Sequence, residues 1–150
     1  MNKRVISKAL AAAGAAVGLI AAGQGQAGAA AQAWSLHGTN LGSAVCSEAF
    51  NPTPDSAIMA CLTYSGSYVV PYSIFVNGST DARLNPATTV AIPFGSTSNT
   101  CPAEAPGQGW RYCNGPLQKI GGGCFDIVGV AQFTWYTDRQ LVSPPVRICG

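Results

Sequence analysis

Residues 124–136 read CFDIVGVAQFTWY and contain the clearest strand pattern of the chain. Aromatic and aliphatic residues recur at every second position, as expected where successive side chains point to opposite faces of a sheet. Gly129 interrupts this alternation and is the expected place of a β-bulge. We expect a turn at Asp138-Arg139, after which residues 146–149 return as a further strand.

A second alternating segment covers residues 68–76, and both of its faces contain apolar side chains. Pro71 predicts an edge position or a bulge in this strand, because proline cannot donate a hydrogen bond to a neighbouring strand. The following Asn77-Gly78 predicts a tight type I′ turn, since both residues tolerate positive φ.

The remaining chain, after an N-terminal apolar segment, also has the pattern of short strands. The stretches 51–55 and 95–106 are rich in turn-forming residues, and no window of helical length shows a 3.6-residue period. We therefore predict an all-β fold, a single disulfide-stabilised sandwich or small barrel. The shorter strand candidates are residues 33–37, 44–47, 58–64, 88–93 and 109–113.

The six cysteines are even in number and predict a disulfide framework. Sequence alone leaves many pairings open, and we favour pairing between neighbours along the chain because two such pairs bracket short loops. The absence of a C-x-x-C pair and the single histidine argue against zinc, so we expect no metal and no cofactor. The expected pairs are Cys46 with Cys61, Cys101 with Cys113, and Cys124 with Cys149.

Residues 1–29 have the features of an export signal. Three bases and no acid precede the uncharged residues 9–22, and positions 27–29 form the A-x-A site that signal peptidase accepts, with 31–33 as an alternative. The apolar run is shorter than the about 20 residues of a membrane-spanning helix. We expect its removal, which leaves residues 30–150 as one secreted, extracellular domain without a membrane anchor.

The charge of the chain changes when the signal is removed. The whole chain has a formal net charge of +2, whereas residues 30–150 contain five bases and six acids, a net charge of −1. The basic character therefore belongs to the signal, and nucleic acid is not an expected partner.

Residues suited to catalysis are few. His37 is the single histidine, and we interpret it as a surface residue rather than a general base. Asp126 lies in an apolar strand where burial would raise its pKa, but we expect it on the solvent face. We predict a protein that is not an enzyme; the alternative is a small secreted hydrolase whose catalytic set comes from distant positions. The six acids are Glu48, Asp55, Asp81, Glu104, Asp126 and Asp138.

Residues 101–113, CPAEAPGQGWRYC, form the strongest candidate for a binding surface. The Pro/Gly-rich loop ends in Trp110, Arg111 and Tyr112, the residue types most enriched among interface hot spots. A disulfide across its ends would lower the ordering cost of binding. In the other interpretation, Trp110 packs into the core and Arg111 merely faces solvent.

The tripeptide Trp110-Arg111-Tyr112 resembles the W-R-Y tripeptide of tendamistat-type α-amylase inhibitors, which are small secreted, disulfide-linked β proteins of bacteria. The match covers three residues, and the cysteine spacing here differs. The resemblance implies an inhibitor-like module that presents a cystine-bounded loop to an extracellular hydrolase.

A carbohydrate or cell-wall binding module is the alternative binding function. Trp34, Trp110 and Trp135, with the tyrosines, could stack on sugar rings, although Trp135 is expected in the core. Exposed coplanar aromatic rings would favour a glycan, a protruding cystine loop would favour inhibition, and His37 beside Asp126 or a serine would favour an enzyme. The expected partner is thus an extracellular protein or a glycan.

Overall fold

The computed structural model describes residues 29–150, so the predicted signal segment, apart from Ala29, lies outside the described residues. This part of the chain is all-β, and it contains no helix long and apolar enough to cross a membrane. The strands are β1 (Ala29–Ala31), β2 (Ser43–Cys46), β3 (Phe50–Thr53), β4 (Ser56–Ser65), β5 (Tyr68–Asn77), β6 (Thr88–Ala91), β7 (Ser98–Cys101), β8 (Gly109–Asn114), β9 (Gln118–Lys119), β10 (Cys124–Ile127), β11 (Val130–Trp135), β12 (Thr137–Val142) and β13 (Val146–Cys149).

The strands form two large sheets and one small one. The five-stranded sheet has the order β1-β7-β6-β11-β12, and the six-stranded sheet has the order β2-β4-β5-β8, with β3 beside β4 and β9 beside β5. Strands β10 and β13 form a separate two-stranded sheet. The arrangement is a disulfide-stabilised β-sandwich and not a closed barrel, which confirms the predicted fold class and selects between its two forms.

The core lies between the two large sheets and contains three apolar clusters, one of which consists of Ala60, Val90, Cys101, Cys113 and Ala131. Ile58 and Phe75 of the six-stranded sheet meet Phe133 of the five-stranded sheet at one end. Leu62 and Val69 belong to a second cluster at the other end. Because large buried side chains from both sheets interdigitate, the orientation of the sheets is set by apolar burial. The remaining members of the second cluster are Ile92, Ile127 and Ile148.

The register of the sheets assigns each connection to one end of the sandwich. The start of β4 and of β8 lie beside the end of β5, and the start of β6 lies beside the ends of β7 and β11. We call this end the loop end, and the opposite end the cleft end. The loop end carries residues 54–55, 78–87, 102–108 and 136, and the cleft end carries residues 92–97 and 115–123 with the two-stranded sheet.

The predicted strand over residues 124–136 is in fact two strands in different sheets. Strand β10 pairs with β13, and β11 pairs with β6 and β12. Gly129 lies at the crossing, where a Cβ atom would overlap the carbonyl of Cys61. Ser143 fixes the crossing, because its Oγ accepts from Gly129 N at 2.9 Å and its N donates to Gly129 O at 2.9 Å. Only glycine permits this approach of two backbones.

Pro71 does not mark an edge strand, because β5 is an interior strand between β4 and the pair β8 and β9. It lies where pairing with β8 has ended and pairing with β9 has not begun. Gly115 N donates to Pro71 O at 2.7 Å across this gap, and a Cβ on Gly115 would meet the proline ring. The missing N–H of proline therefore falls at a break in the ladder.

The predicted type I′ turn at Asn77-Gly78 is wrong. Neither residue has positive φ, and the Asn77 side chain is buried. Its Nδ2 donates to the carbonyls of Asp81 at 2.8 Å and Pro106 at 3.1 Å, and its Oδ1 accepts from Ser79 N at 2.9 Å. The side chain thus satisfies backbone groups of two loops, which is a role typical of buried asparagine at turns.

The turn predicted at Asp138-Arg139 is also displaced, because both residues lie inside β12. Trp135 pairs directly with Thr137, so Tyr136 alone forms the tip of the β11–β12 hairpin. Its φ is 58°, in the left-handed region.

Two strands occur in stretches that were predicted as turns. Phe50–Thr53 pairs with β4, and Ser98–Cys101 pairs with β6 and β1. Conversely, residues 33–37 form no strand; only Ser35 bridges to Tyr112. Pairing with neighbouring strands therefore outweighs the local turn signal.

The three disulfides join neighbours along the chain, as predicted. Two of them, Cys46–Cys61 and Cys124–Cys149, join directly opposed residues of adjacent strands. The third, Cys101–Cys113, joins β7 to β8 and thereby links the two large sheets; both of its residues are fully buried. No described cysteine is free.

Candidate functional site

Trp110 is on the surface and not in the core. Strand β8 alternates, so that Trp110 and Tyr112 lie on the outer face of the six-stranded sheet while Cys113 lies on the inner face. The Trp110 side chain is 51% exposed. This exposure contradicts the interpretation of Trp110 as a core residue.

Trp110 stacks on Tyr112, with ring centroids 6.4 Å apart and an interplanar angle of 26°. Tyr112 in turn lies 6.4 Å from Tyr72, whose ring is buried. Burial raises the pKa of the Tyr72 phenol, and the neighbouring Tyr112 phenol raises this pKa further. Gly38 packs closely against the Tyr112 ring, so Trp110 is the only freely exposed ring of this row.

The three tryptophans do not form a common platform. Trp34 packs against both apolar clusters around Ala60 and Phe75, and its Nε1 donates to Pro102 O at 2.6 Å. Trp135 packs against the Phe75 cluster, as predicted. A stacking surface for sugars would therefore consist of Trp110 and part of Tyr112.

Arg111 lies on the opposite face of β8 from its two aromatic neighbours. Its Nε is 3.9 Å from Glu104 Oε1, and its Nη1 donates to Trp110 O at 2.9 Å. The W-R-Y tripeptide is therefore divided between two faces, and Arg111 faces Glu104 of the preceding loop instead of extending the aromatic surface.

The loop 102–108 is hydrogen-bonded to the neighbouring loop 78–87. Asn85 and Glu104 exchange two backbone hydrogen bonds of 2.7 and 3.0 Å. Pro106 O accepts from the buried Asn77 side chain at 3.1 Å. Together with the buried cystine at its base, these contacts make the two loops one continuous surface at the loop end.

Tyr136 is a surface feature that sequence reasoning missed. Its side chain is 95% exposed at the hairpin tip, and its only ring contact is an edge-on one with Trp135, at 5.7 Å. Below the tip, Thr134 Oγ1 donates to Asp138 Oδ1 at 2.9 Å across a directly opposed pair. A positive φ on a bulky residue costs about 1 to 2 kcal/mol, and such strain is concentrated at functional positions.

These features define the loop-end surface: Trp110, Tyr136 and the loops 78–87 and 102–108. The two aromatic residues come from different sheets and reach the same end of the sandwich. Asp55 and Arg83 add an ion pair of 3.1 Å at this end. Loops on a rigid β scaffold commonly carry binding function.

The candidate catalytic residues are not brought together. His37 is exposed, and its backbone makes hydrogen bonds to Ser35 and Asn114. Asp126 is exposed as expected and pairs with Arg147 at 3.3 Å on the two-stranded sheet. Within residues 29–150, no hydrogen bond or ion pair joins His37 to an acid, and no three metal-ligating side chains cluster.

No protein-family model matches the chain, and neither a curated protein nor a solved structure shows significant similarity to it.

Proposed function

We propose that the chain is a secreted, non-enzymatic binding protein that recognises an extracellular protein through the loop-end surface. Inhibition of a hydrolase is the specific form that we favour. The observation that carries this proposal is the half-exposed Trp110 at the foot of a loop that a buried cystine holds.

Rigidity supports a role in binding. The loop 102–108 is fixed by the Cys101–Cys113 disulfide, by its backbone bonds to Asn85, and by the buried Asn77 side chain. A surface that is already ordered loses little conformational entropy when a partner docks, so more of the contact energy contributes to affinity.

The exposed aromatic residues support a protein partner. Trp110 and Tyr136 leave large apolar areas in water, and tryptophan and tyrosine are the residues most often found as hot spots. Tyr136 stands alone on a convex tip, which suits a concave pocket of a protein better than the flat face of a sugar ring.

A glycan is the second candidate partner, because Trp110 and Tyr112 form a row of aromatic rings with an interplanar angle of 26°. A sugar polymer would use this row on the outer face of the sheet and would not contact Tyr136. A protein partner is therefore expected to contact Tyr136, and a glycan is not.

The test is affinity capture from the surroundings of the producing organism, with the intact mature protein as bait, followed by titration of the captured partner. We expect Trp110→Ala to lower affinity about 30-fold or more, equivalent to about 2 kcal/mol, with about 1 kcal/mol or less lost in stability. A core tryptophan would instead cost about 3 to 5 kcal/mol of stability.

Matched variants separate the candidates. Phe94→Ala, which removes an 84% exposed ring at the other end, should not change binding to the partner. Tyr136→Ala should weaken a protein partner and leave a glycan unaffected. A large loss of stability in Trp110→Ala, together with unchanged binding in Arg111→Ala, would contradict the inhibitor-loop proposal.

The non-enzymatic part of the proposal has its own test. We expect no turnover of peptide, ester or glycoside substrates by the pure protein, because His37 and Asp126 are both exposed and no hydrogen bond or ion pair joins His37 to an acid in residues 29–150. Turnover that His37→Ala or Asp126→Asn abolishes would show that the protein is an enzyme.

A further inference from the structure

Strand β12 (Thr137–Val142) forms one edge of the five-stranded sheet, and within residues 29–150 no strand or bridge pairs with its outer side. The bond of 2.9 Å from Ser143 N to Gly129 O shows which backbone groups of this segment face β11. Because bonded and non-bonded pairs alternate in an antiparallel ladder, every second residue before Ser143 bonds to β11. The N–H and C=O groups of the residues between them point away from the sheet. These outward-bonding residues are Asp138, Gln140 and Val142.

The other edges of the two large sheets are shorter or are already bonded. Strands β1, β2, β3 and β9 have four residues or fewer. The edge of β8 exchanges two backbone hydrogen bonds, of 2.9 and 2.8 Å, with Ser35. In contrast, β12 has six residues in unbroken register with β11 and no proline, and five of the six are exposed. A long, regular and uncovered edge strand is a template for pairing with a further strand.

The residues of β12 allow it to pair with itself. In a symmetric antiparallel pair the outward-bonding residues must lie opposite one another, and two such registers join five of the six residues of each strand. A register centred on Arg139 would place two guanidinium side chains opposite each other, which is destabilising. A register centred on Gln140 places Arg139 opposite Leu141 of the copy and Asp138 opposite Val142 of the copy. Only the second register keeps like charges apart.

The side chain of Gln140 is suited to the centre of such a pair. A primary amide has both donors and acceptors, so two Gln140 side chains at a two-fold axis can bond to each other. Gln140 is exposed, and it lies directly opposite Gln132 of β11. The Oε1 of Gln132 is covered and has no donor within the described residues. A Gln140 amide that is ordered at the axis can donate to this oxygen and satisfy a buried polar atom.

From these observations we infer that the protein forms a symmetric dimer through β12, with the two Gln140 residues at the two-fold axis. The five-stranded sheets of the two copies then form one continuous sheet. The loop end of each copy lies beside the cleft end of the other, where Phe94 and Phe125 line a cleft of about 610 Å³. The two loop-end surfaces point in opposite directions, so one dimer presents two binding surfaces. This interface does not depend on which partner the loop end binds.

The dimer should be reversible. Two short strand edges bury less than the about 1,200 Å² of a stable interface, so assembly should depend on protein concentration. Sedimentation velocity of the mature protein at concentrations up to about 1 mM measures the dissociation constant. We expect Gln140→Pro to weaken the dimer at least tenfold with little change in melting temperature. The reason is that the Gln140 N–H makes no bond to β11, and an edge strand tolerates proline at such a position.

A charge variant tests the same position without a change in the backbone. Gln140→Lys places two ammonium groups at the axis and should also weaken the dimer at least tenfold, and high salt should restore part of the loss. The control is Leu36→Lys, which adds the same charge at a 64% exposed position next to Ser35 on the other sheet. This control should dimerise like the unmodified protein.

Cysteine variants determine the register. The Cα atoms of a hydrogen-bonded antiparallel pair lie about 5.5 Å apart, within the range of a disulfide. Under mild oxidation, Gln140→Cys should therefore form a covalent dimer that a reductant separates. Asp138→Cys is the matched control, because its two copies lie about 14 Å apart in this register. It should cross-link only when it is mixed with Val142→Cys.

Three results would overturn the inference. A mature protein that stays monomeric up to about 1 mM does not use β12 as an interface. A dimer that neither Gln140→Pro nor Gln140→Lys weakens is assembled through another surface. Covalent dimers of Asp138→Cys alone, formed as readily as those of Gln140→Cys, exclude the register centred on Gln140.

Discussion

The two ends of the sandwich are closed by different chemistry. At the loop end, the buried Asn77 side chain and paired backbone groups hold the connections, and the Cys101–Cys113 disulfide between them is fully buried. At the cleft end, an isoleucine-rich cluster and the exposed Cys124–Cys149 disulfide close the fold. Hydrogen bonds are directional and fix one conformation of the loops, whereas apolar contacts are non-directional and permit small adjustments. The difference suits a preformed surface at one end and a cleft at the other.

The polar closure of the loop end has a cost. The Asn85 side chain is fully buried, and neither its Nδ2 nor its Oδ1 has a partner in the described residues. An unpaired buried amide typically costs about 1 to 3 kcal/mol. The hydrogen bonds at the loop end therefore define one loop conformation, but the unpaired Asn85 amide offsets part of the stability that they contribute.

The largest expected loss of stability comes from removing a disulfide, and it should differ between the buried Cys101–Cys113 pair and the exposed Cys124–Cys149 pair. Their sequence separations are 12 residues for Cys101–Cys113 and 25 for Cys124–Cys149, so chain entropy alone predicts about 0.6 kcal/mol more from the second. Burial predicts the reverse order, because removing the inner pair also leaves a cavity between the sheets.

We expect replacement of both inner cysteines by alanine to cost about 5 kcal/mol in urea unfolding, and replacement of both outer cysteines to cost about 3 kcal/mol. If the outer pair proves the more costly, loop length and not burial controls disulfide stability in this fold.

The next effect tests how the cleft end is joined to the sandwich. Gly129→Ala would place a methyl group against the Cys61 carbonyl, and the backbone would have to shift. We expect a loss of about 2 to 3 kcal/mol in chemical denaturation. The control is Gly121→Ala, where no atom lies within 4 Å of the added Cβ and little change is expected.

A smaller effect, of opposite sign, tests strain at the loop end. Tyr136→Gly should stabilise the protein by about 1 kcal/mol, because glycine adopts a φ of 58° without strain and the lost ring is exposed. Thermal unfolding measures this gain. A loss of stability would mean that the edge contact of Tyr136 with Trp135 outweighs the backbone strain.

The smallest effects come from one ion pair at each end. Asp126 and Arg147 are both well exposed, so Asp126→Asn should change stability by about 0.5 kcal/mol or less. Asp55→Asn should cost slightly more, about 1 kcal/mol, because its partner Arg83 is less exposed. Urea unfolding of both variants at low and high salt measures the loss of stability from each ion pair. Equal losses would show that the ion pairs at the two ends contribute equally to stability.

Local patterns in the sequence predicted those features that depend on neighbours along the chain. Alternation identified β5 and the strands on either side of Gly129, and short loops favoured the three observed disulfides. In β8 the same alternation places Trp110 and Arg111 on opposite faces, whereas the sequence analysis had grouped them in one binding surface.

Features that depend on distant segments could not be predicted in this way. The crossing at Gly129 requires the Cys61 carbonyl, and the cleft joins Phe94 to Phe125 across separate loops. The tip at Tyr136 contains no turn-forming residue that sequence analysis could detect. The pairing of β11 with β12 imposes its conformation instead.

The order of the cystines along the chain has a consequence for how the fold is made. Each cysteine is bonded to the next available one, and no disulfide spans another. In a chain that enters an oxidising compartment N-terminus first, Cys46 and Cys61 are present before Cys101 emerges. If the thiols of such a chain are oxidised in the order in which they emerge, the native pairs form directly. The slow exchange of wrong partners through mixed disulfides is then not needed.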